Sequence, residues 1–370
     1  MPNIAVVGAG VGGLACARAL QINNVDVTVF ERESSQRARW QGGMLDLHVP
    51  TGQAALHAAG LYEQFRAFAR PEAQELRVLD PGTGELIHHE LPVGGDRFAP
   101  EIDRGHLREL LLNSLRPNTV RWGQPMEFAD ERLREFDLVV GADGAWSRIR
   151  PALSPATPSY QGSIMIETWL DDVDIRHPGL AALVGPGSLV ATEGRTILSA
   201  QRNSGGHVRV YTGLEMPLDW YVTERVDLAD PRSVRAFLLA KLTGWHEPLL
   251  DLIRRSDGEF VNRPMYVLPV GHSWDHVPGY TLLGDAAHLM PPYGIGANLA
   301  LIDGTDLAQA IAAHPNLDDA VRAYEAVMLP RAAAAAQACV ELTANLSEGS
   351  THDVDAARQL LNERMSAAGN

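Results

Sequence analysis

Cysteine is nearly absent, with only Cys16 and Cys339 in 370 residues. They lie far apart and neither falls in a Cys-x-x-Cys or histidine-rich pattern, so no disulfide framework or metal cluster is expected, and free thiols in a reducing compartment fit best. Basic excess is also lacking: 31 Lys and Arg face 46 Asp and Glu, a net charge of −15, and no Lys/Arg-rich run interrupts it. Such a chain repels phosphate backbones and anionic membrane surfaces, which argues against nucleic acid as a partner. No window approaches the roughly 20 apolar residues that span a bilayer. The start, Met-Pro-Asn before a short apolar run, lacks the basic head and cleavage site of a secretory signal, so the expectation is a cytoplasmic protein without a membrane partner. What is present is ordinary globular composition, 45% hydrophobic and 21% charged, at a length suited to two domains of roughly 100–200 residues each.

The order of apolar runs and glycine turns gives the outline. Ile4 to Val7 reads as a strand, Gly8 to Gly13 as a turn, Leu14 to Gln21 as a helix and Val25 to Phe30 as a second strand ending at Glu31, which is a βαβ unit. A helical stretch spans Gly52 to Arg70, a hairpin Leu76 to Leu91, and another helix Arg104 to Leu115. Two later apolar strands also stop on glycine: Asp137 to Val140 enters Gly141-Ala142-Asp143-Gly144, and Tyr280 to Leu283 enters Gly284-Asp285. Between them, Ser163 to Val270 is mostly strand-like with glycine breaks, which predicts an inserted antiparallel sheet. Helices are expected over Leu317 to Ala344 and Val354 to Met365. The fold class is therefore α/β, a Rossmann-like nucleotide domain (1–75, 100–160, 271–325) with an inserted, mainly antiparallel sheet domain (76–99, 161–270) and C-terminal helices (326–370).

Gly8, Gly10 and Gly13 satisfy G-x-G-x-x-G between a strand and a helix. The spacing permits a tight turn, close approach of backbone to a pyrophosphate, and close helix–strand packing, with the helix N-terminus facing the phosphates. Glu31 ends the second strand, where a carboxylate can accept hydrogen bonds from a ribose hydroxyl. This motif does not by itself separate NAD from FAD.

Together with Gly141-Ala142-Asp143-Gly144-Ala145-Trp146-Ser147-Arg148-Ile149-Arg150 and Gly284-Asp285-Ala286-Ala287-His288, it makes the chain resemble the class A flavoprotein monooxygenases of the para-hydroxybenzoate hydroxylase fold. In that family the three motifs jointly hold FAD. The resemblance implies that Asp285 binds an FAD ribose hydroxyl, that Asp143 and Gly144 lie near the pyrophosphate and affect the nicotinamide cofactor, and that Arg104 contacts FAD. The alternative for Arg104 is a surface residue at a helix start. Glu31-Arg32, Arg37-Ala38-Arg39, Gly42-Gly43-Met44-Leu45-Asp46 and the run Gly284 to Pro292 further resemble the tetracycline-inactivating monooxygenases. By that likeness Arg32 joins the cofactor set, Asp46 contacts the flavin region and Arg39 engages NADPH, or else Arg39 belongs to a solvated basic stretch.

The same resemblance implies the reaction: NADPH or NADH reduces FAD, dioxygen adds, and a flavin C4a-hydroperoxide hydroxylates a phenolic, enolic or polycyclic small molecule, aromatic or polyketide-like. No nucleophilic triad or metal-spaced cluster competes with this account. The loop through Pro292, Gly294, Gly296 and Asn298 would offer backbone N–H groups and a helix dipole to the flavin, with Asn298 as a helix cap in the simpler reading. His288 reads as a structural hydrogen-bonding residue more than a base. Substrate contacts are expected from Glu193 and Glu215 on the inserted sheet and from Met290, Pro291 and Tyr293, which could equally be core. Three departures from the family pattern stand out. Glu193 and Glu215 replace a glutamine and a basic residue of the tetracycline enzymes, the Pro292 to Asn298 loop is one residue shorter, and Val120 to Asp137 lacks most of a hairpin. A hydride-transferring FAD oxidoreductase without oxygen insertion, or a flavin-binding relative with reduced turnover, therefore stays open, as does a monomer or a homodimer.

Overall fold

The computed structural model describes residues 2–38, 42–95 and 98–347. Its first half runs β1 (Asn3–Val7), the helix Val11–Ile22, β2 (Asp26–Phe30), β3 (Met44–Asp46), the helix Ala54–Ala58, the helix Tyr62–Phe68, β4 (Leu76–Leu79), β5 (Leu86–Glu90), β6 (Glu101–Asp103), the helix Arg104–Asn113, β7 (Val120–Arg121) and β8 (Leu138–Gly141). The second half runs β9 (Ser159–Leu170), β10 (Ser188–Glu193), β11 (Thr196–Arg202), β12 (Val208–Glu215), the helices Pro231–Lys241 and Glu247–Arg254, β13 (Val261–Val267), β14 (Tyr280–Leu282), the short helix Asp285–His288, and the long helices Gly296–Ala313 and Leu317–Ser347.

Five of these strands form a parallel sheet in the order β14-β8-β1-β2-β7. The chain leaves β1 for β2 on one side, and β8 returns on the other. That reversal opens a crevice beyond the carboxyl ends of β1 and β8, the usual ligand position in an open α/β sheet. Ile4, Val6, Val139 and Val140 are buried because helices cover this sheet, and the helix Val11–Ile22 packs closely on Gly296–Ala313.

The second sheet has seven strands in the order β13-β9-β12-β11-β10-β4-β5, antiparallel except for the β10–β4 pair. Alternation puts Ile164, Ile166, Leu198, Ala200, Val208 and Val210 on one face, where they bury against Val234, Phe237, Leu249 and Ile253 of two helices. The opposite residues of each strand face the parallel-sheet half.

The helical stretch expected over Gly52 to Arg70 is divided, because Gly60 adopts φ +64° between Ala54–Ala58 and Tyr62–Phe68. The helices Pro178–Val184 and Glu247–Arg254 had no counterpart in the sequence reading. Leu317–Ser347 is one helix that continues through Pro330, and the helix expected at 354–365 lies outside the described residues. Among the described residues no helix is long and apolar enough to cross a membrane, and no group of three or more His, Cys, Asp or Glu could hold a metal ion.

Candidate active site

The glycine-rich turn is fixed by its own backbone. Gly8 has φ +113°, and a β-carbon built there would lie 2.3 Å from the Ala142 carbonyl oxygen; one at Gly13 would lie 2.2 Å from the Gly8 carbonyl oxygen. Neither contact can yield, since both neighbours are backbone. A β-carbon at Gly10 would meet nothing within 4 Å. The turn is thus closed against the protein at Gly8 and Gly13 and open at Gly10. The helix Val11–Ile22 starts there with no side-chain cap and no acidic residue in its first turn, which leaves its N–H groups and positive dipole end for an anion.

Glu31 supports this turn directly. Its Oε2 accepts the Ala9 N–H at 2.7 Å, and its Oε1 accepts the Glu33 N–H at 2.9 Å. From the other side the buried Arg108 donates its Nε–H to the Ala9 carbonyl at 2.9 Å and an Nη1–H to Gln36 O at 3.0 Å. Arg104, the cofactor arginine expected from the resemblance, is exposed, with its backbone N–H on Gly43 O at 3.1 Å. A signal for Arg108 existed: Leu107 and Leu111 mark the inward face of this helix, and 108 lies on it. Arg32 is exposed, and Arg39 lies outside the described residues.

The two later motifs meet beside the turn. Asp143 Oδ2 accepts the Arg148 N–H at 2.7 Å, while its Oδ1 is buried without a hydrogen-bond partner. Burial pushes the Asp143 carboxyl up from its ordinary value, against the Ser147 and Arg148 hydrogen bonds that lower it. Gly144 adopts φ +82° with open space where a side chain would stand. Arg150, buried, joins the motifs by donating to Ala286 O at 2.8 Å, Ala145 O at 2.8 Å and Asp285 O at 3.3 Å. Asp285 itself is exposed at the first position of the short helix after β14. His288, one turn on, is buried and bonded to Asp303 at 2.5 Å. Burial works to lower the His288 pKa, but the Asp303 carboxylate overrides it and holds the pKa above the ordinary imidazole value.

The loop before Gly296–Ala313 lies on β3. Gly294, at φ +86°, leaves its missing β-carbon 3.1 Å from Asp46 Oδ1, and Asp46 Oδ2 is 3.0 Å from His48 Nε2. A β-carbon at Gly296 would be 3.8 Å from Asp285 Oδ1, so the start of the helix lies beside that carboxylate. Pro292 is exposed. Asn298 does not cap its own helix, whose N-cap is Ile295. It is fully buried; its Oδ1 accepts the His48 and Gly52 N–H groups at 2.9 and 3.1 Å, and its Nδ2 donates to Asp46 O at 2.7 Å and Gly294 O at 3.0 Å. It serves the 46–52 segment, satisfying N–H groups of a neighbouring helical turn.

Strand alternation decides which sheet residues face this site. Trp169, Glu167 and Met165 share a face with Arg209, Tyr211 and Gly213. A β-carbon at Gly42 would be 2.2 Å from Arg209 Cζ, and one at Gly43 3.1 Å from the Tyr211 hydroxyl. The sheet therefore meets the Gly42-Gly43 segment at Arg209 and Tyr211. Arg209 and Glu167, both buried, form an ion pair, and Arg263 Nε donates to the other Glu167 oxygen at 2.5 Å. Burial raises the Tyr211 hydroxyl pKa above its usual value, against nearby arginines that lower it.

Of the five expected substrate residues, Glu193 lies on the opposite sheet face and Met290, Pro291 and Tyr293 pack against the last helix. Glu193 has the parity of Leu189 and Ala191, on the far face, and accepts the Trp245 Nε1–H at 2.8 Å. Met290 is buried with Ile295 and Leu299 against Ala335, Ala338, Cys339 and Leu342. Tyr293 packs there too, its hydroxyl 3.0 Å from Thr343 Oγ1, and Pro291 is buried with its carbonyl 4.0 Å from Cys339 Sγ. Glu215 has the site-facing parity but is exposed and paired with Arg195. Between Trp122 and Asp137 no strand forms, only the turn Glu131–Glu135. A cleft of about 510 Å³ lined by Thr28, Phe30, Trp122 and Phe136 lies on this side.

The convergence is matched by known proteins. A family described as NAD(P)-binding Rossmann-like domain matches residues 6–70, and one described as FAD binding domain matches residues 276–339. The chain is 31% identical to a monooxygenase, asqM, of Emericella nidulans over 84% of this chain and 83% of that one. It is 30% identical to the 3-amino-4-hydroxybenzoate 2-monooxygenase of Streptomyces cremeus over 90% and 84% of the two chains. Among solved structures, Klebsiella pneumoniae HpxO complexed with FAD and uric acid has a TM-score of 0.77 at 22% identity, over 98% and 93% of the chains. The tetracycline destructase Tet(51) has a TM-score of 0.73 at 18% identity, over 100% and 98%. These two likenesses concern the fold.

Proposed function

The chain belongs to the FAD-dependent monooxygenases, and we propose that within that family it hydroxylates a phenolic, enolic or polycyclic small molecule at the expense of NADPH or NADH. The observation that carries this reading is the meeting of three backbone motifs at one crevice, with the Gly294 loop laid on Asp46 and the inserted sheet laid on Gly42-Gly43. The residues fit FAD: two helix N-termini lack side-chain caps, Gly10 is open, and the buried Asp143 Oδ1 lacks a partner.

Bound FAD supplies the redox chemistry with dioxygen. The protein's part is placement. Gly10 and the uncapped first turn of Val11–Ile22 would offer N–H groups to the pyrophosphate, while Gly8, whose own N–H goes to Phe30 O at 2.8 Å, and Gly13 close the turn against the protein, with Arg108 and Glu31 bracing it. Glu31 and Asp285 would offer carboxylates to ribose and ribityl hydroxyls, Arg32 and Arg104 would serve the cofactor's outer parts, and Asp143-Gly144 would border its middle. Asp46, held by His48, and the start of Gly296–Ala313 would hold the ring, where the helix's positive dipole end would favour added negative charge. The sheet face of Met165, Tyr211 and Arg263 would take the substrate, with Glu215 at its rim. The phenolic substrate in the Streptomyces relative's name supports this class. The division into a nucleotide domain and a sheet domain, a cytoplasmic location, and a monomer or homodimer complete the reading.

The test is to purify the protein, identify its flavin, and screen aromatic and polyketide compounds for accelerated NAD(P)H oxidation with one labelled oxygen gained from ¹⁸O₂. An organic product changed by two electrons but carrying no labelled oxygen would assign hydride transfer alone; failure to bind FAD would sink the reading.

A further inference from the structure

We propose that Asp303 is a positioning residue for the cofactor, holding the Gly284-Asp285 turn in its binding conformation from inside the core. Its side chain is fully buried. One oxygen, Oδ2, accepts both the Gly284 N–H at 3.1 Å and His288 Nε2 at 2.5 Å, so it grips the two ends of the short helix that begins with Asp285. The other, Oδ1, accepts Arg331 Nη2–H at 3.0 Å, and Arg331 also reaches Asp306 at 2.7 Å. Two acidic side chains, Asp303 and Asp306, thus share the Arg331 guanidinium, and the His288 ring completes the group.

The next residue fixes where this carboxylate stands. A β-carbon at Gly304 would lie 2.6 Å from Gly12 O and 2.8 Å from Cys16 N, so the helix is seated directly on the one that follows the first glycine motif. Asp303 therefore stands at a set depth between the two motifs, while its side chain bonds only the second. Gly284, at φ +59°, depends on that bond, because its N–H points into the protein.

This one-sidedness separates positioning from mere support. It rests on the FAD placement proposed above: ADP samples the Gly8–Gly13 half, whereas FAD samples both. Asp303→Asn should weaken FAD binding about tenfold or more while ADP affinity stays within twofold, both measured by titration of apoprotein. Arg331→Met is the contrast, since Arg331 does not touch Gly284; it should lower the melting temperature yet leave the ratio of FAD to ADP affinity unchanged. Where Asp303→Asn does not fold, Asp303→Glu keeps the charge but displaces the Gly284 contact, and should show the same split. Equal loss of FAD and ADP affinity in the folded Asp303 variant, or the same split in Arg331→Met, would overturn the inference. Failure of the wild type to bind FAD would instead overturn the placement on which it rests.

Discussion

A β-carbon added to the glycine turn of the parallel-sheet half would land 2.2–2.3 Å from backbone oxygens at Gly13 and Gly8. In the seven-stranded half, what decides a residue's role is the side of a strand on which it falls. The first kind of constraint is local and written in residue type. The second depends on register, so one residue's shift reverses every assignment. The two halves should therefore break differently: the first through backbone geometry, the second through buried charge.

The largest effect is expected at Gly8. Gly8→Ala places a β-carbon into the Ala142 carbonyl at φ +113°, which should destabilise the protein by about 4 kcal/mol or more and leave little folded holoprotein. Gly10→Ala is the internal control, because its β-carbon meets no protein atom within 4 Å. Its melting temperature should match the wild type, while FAD affinity falls about tenfold as the methyl group intrudes on the pyrophosphate. Paired melting curves and FAD titrations read both. Equal stability of the two variants would remove the distinction between a closed and an open end of the turn.

In the sheet half the counterpart is Glu167→Gln. It leaves Arg209, buried beside it, without its carboxylate, and unpairing a buried ion pair costs about 3–5 kcal/mol. Urea unfolding should show that loss, with the remaining folded protein still binding FAD. Parallel loss of FAD affinity would mean that the halves are not separable in this way.

What the sequence made legible follows the same division. Glycine positions, strand ends and the order of the motifs located the turn, Asp143-Gly144 and Gly284-Asp285, since each needs a particular residue type at a particular place. Arg108 was missed because Arg104, one turn earlier, opens the same helix, although the Leu107 and Leu111 pattern favoured the inner position. Asn298 was legible as a residue of the flavin-facing loop, but its buried role was not, because its partners at His48 and Gly52 are 250 and 246 residues away. Asp303 and Arg331 carry no motif of their own and acquire meaning only when two helices pack.

The buried network under the second motif also gives the nucleotide half a pH signature. His288 has a raised pKa, so its contribution is fully present below the ordinary imidazole value of 6.5 and is lost as pH rises through the folded value. Asp303 has a lowered pKa, through His288 and Arg331 acting against burial, so its contribution is present above 3.8 and lost as pH falls through the folded value. The stability difference between wild type and His288→Gln should be widest near pH 5–6 and narrow on the alkaline side. Chemical denaturation at several pH values measures it; a difference that widens toward alkaline pH contradicts the assignment.

The smallest effect is expected at Glu193, and it bears most directly on strand parity. The carboxylate lies on the helix-covered face and bonds the Trp245 indole at 2.8 Å. Glu193→Gln keeps an acceptor for that indole, so stability should change by less than about 1 kcal/mol. Turnover and KM should stay within twofold, because the residue faces away from Gly42-Gly43 and the ring beyond it. Arg263→Gln, on the other face of the same sheet, supplies the contrast: KM should rise severalfold with little change in FAD affinity. Were Glu193→Gln to raise KM and Arg263→Gln to leave it alone, the register that turns Tyr211 and Arg263 toward the site would be assigned to the wrong face.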